Sequence, residues 1–109
     1  MEYARERVKS LLELQYGGHF PSRVPEGMDE QELRILAGST HGIACCFAHT
    51  GVPLDDYMKQ YLLDNYARMR WLNARYKGDG RMYMRRVKQI ARLILKYYKV
   101  PLPKHGAKA

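Results

Sequence analysis

Between residues 81 and 99 the apolar and the cationic side chains separate onto opposite sides of a helical projection. Tyr83, Val87, Ile90, Ala91, Ile94, Tyr97 and Tyr98 fall on one side, and Arg81, Arg85, Lys88, Arg92, Lys96 and Lys99 on the other. Only a helix keeps both groups content, with the apolar side against other helices and the charged side in water. The six cations then form one stripe about 27 Å long. No acidic residue in the segment neutralises it.

The same 3.6-residue period recurs upstream. Ala4, Val8, Leu11, Leu12 and Tyr16 mark a first helix over Glu2 to Tyr16, stopped by Gly17 and Gly18. Residues 17–27, with three Gly and two Pro, read as a loop pinned to the core by Phe20 and Val24. Asp29 followed by Glu32 resembles a capping box for a second helix carrying Leu33 and Leu36, which Gly38 is expected to end. A short central helix follows over about Thr40 to His49. Its small residues Gly42, Ala44 and Ala48 are expected to let neighbours pack closely and to make it the most buried element. Pro53, Asp55 and Asp56 open a long fourth helix, which Arg75 and Lys77 close before the turn Gly78-Asp79-Gly80. Leu54, Tyr57, Met58, Tyr61, Leu62, Tyr66, Met69, Leu72 and Tyr76 are its expected inner face. The resulting fold class is all-α: a small bundle of four or five helices with a long fourth helix and a basic amphipathic C-terminal helix. Residues 1–103 form one helical domain, and 104–109 a flexible basic tail.

Several function classes are excluded. Residues 35–54 carry no fixed charge, but Gly38, Gly42, Gly51 and Pro53 among several polar residues interrupt the run, so it is no membrane span. Cys45 and Cys46 are adjacent and are the chain's only cysteines, too few for a disulfide scaffold, which points to a reducing cytoplasm. No charged n-region followed by an apolar stretch opens the sequence, so a signal peptide is not expected. His41, Cys45 and His49 share one helical face, but the outer two lie about 12 Å apart by the helical rise and cannot hold one ion together. No phosphate-cradling glycine loop, nucleophile elbow or paired-histidine motif is present, so neither enzyme activity nor a cofactor is expected.

Charge is the remaining guide. Up to Tyr66 there are six Lys/Arg against ten Asp/Glu, a balance of −4, whereas thirteen Lys/Arg oppose Asp79 alone thereafter, a balance of +12. A field this one-sided speaks of a polyanionic partner. The expected interface is the stripe Arg81, Arg85, Lys88, Arg92, Lys96 and Lys99, extended by Arg68, Arg70, Arg75 and Lys77. Trp71 stands among these, well off the apolar face and able to stack on a base or to fill a partner's pocket. Residues 43–60 invite comparison with a helix-turn-helix, but Phe47 is too bulky for its packing position, and Asp55 and Asp56 would face phosphates. The basic last helix is the better contact element. The expectation is a small DNA-binding regulator of transcription, with DNA preferred to RNA. The rival reading is a non-enzymatic adaptor or inhibitor that offers the same surface to an acidic protein or occupies another protein's nucleic-acid site.

Overall fold

The computed structural model describes residues 2–16, 29–75 and 81–103. They form four helices, α1 (Glu2–Tyr16), α2 (Glu30–Cys45), α3 (Asp56–Asn73) and α4 (Arg81–Tyr97), with no strand among the described residues. The expected all-α bundle is therefore what the chain builds. The proposed anchors Phe20 and Val24, together with Tyr76, Lys77, the 78–80 turn and the 104–109 tail, lie outside the described residues.

α4 packs against each of the other three helices, most extensively against α3 and then α1. Its seam of Met84, Val87, Ile90, Ala91, Ile94 and Leu95 is essentially sealed from solvent. α1 contributes Val8, Leu11 and Leu12 as its period predicts, and also buries Gln15, whose Nε2 donates to the Tyr83 carbonyl at 3.0 Å. That bond fixes the end of α1 to the start of α4.

The second and third expected helices are one. α2 continues through Gly38 and passes directly into a π-helical turn, Cys46–Thr50. A glycine inside a helix costs only about 1 kcal/mol. The continuous face Leu33, Leu36, Ala37, Thr40, Ile43 and Ala44 would be broken by a stop there. Ser39 also returns its hydroxyl to the Ile35 carbonyl at 2.7 Å, staying within the helix. Gly42 is exposed with open space where a Cβ would stand, so it is not the close-packing site expected of it. At the N-terminus Asp29 caps by accepting from Gln31 N at 2.9 Å, while Glu32 turns away to another partner.

The π turn ends at Gly51 in the left-handed region, φ 71°. Thr50 Oγ1 donates to the Cys46 carbonyl and accepts from Val52 N, which holds the exit of the turn. α3 then starts at Asp56, three residues after Pro53, because Asp55 is its cap and accepts from Met58 N at 2.8 Å. Its buried seam is Leu62, Asn65, Tyr66, Met69 and Leu72. Tyr57 and Tyr61, expected inside, are 76% and 37% exposed, because they sit a step around the helix from this seam. Asn65 takes the inner place instead and donates to Ser39 Oγ and Thr40 Oγ1 on α2.

Gly42→Ala should stabilise the fold by about 0.5–1 kcal/mol through helix propensity. Gly51→Ala should destabilise it by at least about 1 kcal/mol, because a left-handed φ and an Arg5 nitrogen 3.3 Å from the new Cβ both oppose it. Urea denaturation of the two variants checks the opposite signs.

His41 provides a pH readout. Burial lowers its pKa below 6.5, and its Nε2 is enclosed without a hydrogen-bond partner. The unfolded chain therefore takes the proton first. The stability due to neutral His41 is present in full well above pH 6.5 and is lost as the pH falls through 6.5 towards the folded value. Thermal melts between about pH 8 and pH 5 should show a falling Tm, with a smaller fall in His41→Gln.

Candidate nucleic-acid interface

Burying the α4 seam turns the rest of that helix outward. Arg81, Arg85, Arg92 and Lys96 are exposed, and Lys88 is half-buried at the edge facing α3. Lys99 is exposed but lies beyond the helix. α4 ends at Tyr97 in a Schellman arrangement, with Val100 N donating to the Leu95 carbonyl and Lys99 N to the Lys96 carbonyl. Lys99 occupies the left-handed position of that motif, φ 59°, where glycine is usual. The continuous helical stripe therefore ends at Lys96, and Lys99 leaves it at the cap.

α3 adds Arg70, whose Nη1 donates to the Pro103 carbonyl as the chain runs back from α4. Arg70 also faces Lys88. The Lys88 ammonium has its pKa lowered first by burial and then by the charges of Arg85, Arg70, Arg92 and Arg81, with no carboxylate among the described residues acting on Lys88 to raise it. Among the described residues, none of the ion pairs involves a cation of α4. Two helices thus gather four like charges around one partly dehydrated lysine.

The remaining predicted residues differ in kind. Arg68 is held by Glu32 of α2 through Nε at 2.7 Å and Nη2 at 3.1 Å, a two-pronged bond that raises its pKa and returns its charge. Arg75 donates to the Trp71 carbonyl at 3.0 Å. Trp71 is half-buried against the core, with Arg75 and Arg68 over its ring at 3.9 and 4.7 Å from the centroid. Its Nε1 is enclosed without a partner. A base reaching this indole meets guanidinium groups first.

Two residues of this surface were not singled out by charge. Gln89 is exposed and sits at the centre of the outward face, on one line with Met82, Arg85, Arg92 and Lys96. Arg86 flanks it, half-buried. The signal for Gln89 was its angle opposite the apolar seam. Selecting for charge passed over it.

No three metal-ligating side chains come together among the described residues, and no helix there is long and apolar enough to cross a membrane. Comparison with protein families, with curated proteins and with solved structures finds no match for the chain.

The Lys88 charge is disfavoured in the native state, so its penalty stands in full at neutral pH and is relieved only as the pH rises through the folded pKa towards 10.5. Lys88→Met should therefore raise Tm by about 2–4 °C, equivalent to about 0.5 kcal/mol once solvent screening of this half-exposed group is allowed for. A calorimetric scan at pH 7 that gave a lower Tm would show that the lysine is compensated.

Proposed function

We propose that this protein binds nucleic acid, duplex DNA foremost, through α4 and the adjoining end of α3, and that it acts as a small regulator of transcription without catalytic activity. The observation that carries this reading is the exposed row Arg81, Arg85, Arg92 and Lys96 beside the half-buried Lys88, none of which enters an ion pair among the described residues. Folding holds these charges together at a cost to stability. A row of phosphates offsets that repulsion and releases counterions on binding.

The shape of the surface supports the same partner. α4 is a helix of 17 residues with one cationic face, about 25 Å long by the helical rise. A major groove about 12 Å wide admits such a helix. Gln89, flanked by Arg85 and Arg92, is of the side-chain type that reads adenine edges, while Lys88, Arg70 and Arg81 on its flank suit the backbone.

Anisotropy titrations with duplex DNA, single-stranded DNA and duplex RNA test the proposal. Four to six neutralised phosphates give a log–log salt slope of about −4 to −5 on duplex DNA. Reversing Arg85, Lys88 and Arg92 to Glu should abolish binding while far-ultraviolet circular dichroism stays nearly unchanged and Tm does not fall, because these side chains lie outside the sealed core and their mutual repulsion is removed. Absence of binding at about 50 mM salt, or a flat salt dependence, overturns the reading. Capture of an acidic protein by the same face, with no nucleic-acid binding, would replace it with the adaptor role.

A further inference from the structure

At the far end of α4 from the Tyr83–Gln15 junction, the π-helical turn and the first turns of α1 leave a small open cleft of about 70 Å³. Phe47 of the π turn, itself only 4% exposed, Tyr97 of α4 and Tyr98 just beyond it form its aromatic wall. Their rings meet edge to face, with centroids 5.0–6.0 Å apart. Val52, 63% exposed, stands on the rim. Arg5 of α1 closes one side and has no hydrogen-bond or ion-pair partner among the described residues.

Three local features maintain this arrangement at a cost. A π turn is rarer than the α-helix it interrupts and tends to mark functional positions, and here it delivers Phe47 to the wall. Gly51 turns the chain at positive φ and, lacking a Cβ, lets the Arg5 guanidinium lie close over the backbone. Tyr98 Oη accepts from Leu54 N at 3.0 Å, which leaves the ring rather than the oxygen to line the cleft. The result is a planar cation, without a partner among the described residues, beside an aromatic wall whose Tyr98 ring also carries Lys59 Nζ 4.5 Å from its centroid. A guanidinium matches one carboxylate in a two-pronged bond.

We propose that this cleft binds a small organic monocarboxylate carrying a single aromatic ring, with the carboxylate on Arg5 and the ring against Phe47, Tyr97 and Tyr98. This site is separate from the cationic face of α4 and does not rest on nucleic-acid binding.

The test is an NMR titration of the isotope-labelled protein with phenylacetate, phenylacetamide and acetate. Phenylacetate should produce saturable shifts at Phe47, Gly51, Val52 and the Arg5 Nε, and the amide and acetate should each bind about tenfold more weakly or worse. Arg5→Gln should remove the preference for acid over amide. Val52→Asp, at an exposed position, should supply an internal carboxylate and suppress phenylacetate binding, which keeps the test open if Arg5→Gln fails to fold. The proposal is overturned by an absence of saturable shifts, by equal binding of acid and amide, or by shifts confined to the Lys88–Lys96 surface.

Discussion

The burial of the α4 seam is the interaction on which the rest of the domain depends. Val87, Ile90, Ala91, Ile94 and Leu95 have no accessible surface, and α1, α2 and α3 each use α4 as an apolar partner. Burying one such aliphatic side chain contributes about 1.5–3 kcal/mol. A domain of this size has a net stability of about 5–15 kcal/mol. Two or three seam residues are therefore comparable with the whole margin. That reserve lets the opposite face of the same helix remain a row of repelling cations.

Apolar burial does not by itself choose a register, and a few polar links do so here. Asn65 on α3 reaches Ser39 and Thr40 on α2, Gln15 on α1 holds the Tyr83 carbonyl, and Tyr98 at the end of α4 holds Leu54 N ahead of α3. Thr40 and Asn65 are buried, so a one-residue slip would leave polar atoms unpaired in the core, at about 1–3 kcal/mol each. The Glu32–Arg68 pair closes the α2–α3 seam at its solvent edge. It also divides the surface: the charge of Arg68 is answered by Glu32, whereas along α4 Arg81, Arg85, Lys88, Arg92 and Lys96 enter no ion pair among the described residues.

Periodicity made α1 and α4 legible, because their apolar positions repeat without interruption and their stops are unambiguous. It misled at Gly38, where a residue that often ends helices is carried through by the packing of Leu36, Ala37 and Thr40 on one face. It misled again at Tyr57 and Tyr61, whose aromatic character suggested burial, while the polar Asn65 occupies the inner line. Tertiary hydrogen bonding decides that exchange, and no local pattern encodes it. The cationic face was legible as composition. The pairing of Arg68 with Glu32, 36 residues apart, was not, and neither was the approach of Arg70 to Lys88. The aromatic cleft was invisible for the same reason, since Arg5, Phe47 and Tyr97 come together only when three separate elements pack.

Local costs in this protein gather on α4 and its ends. Lys88 loses water among four arginines, Lys99 takes a left-handed φ that glycine would adopt freely, and the π turn beside Tyr97 gives up regular α-helical bonding. A chain selected for stability alone would place a glutamate near Lys88 and a glycine at position 99. Departures from local preference that persist against an otherwise well-sealed core are where function is expected to lie. In this fold they fall at two places on one helix: the cation cluster along its outer face and the aromatic cleft at its C-terminal end. The sealed seam Val87, Ile90, Ala91, Ile94 and Leu95 lies along the same helix that carries both places, so one run of buried apolar contacts holds the two in position.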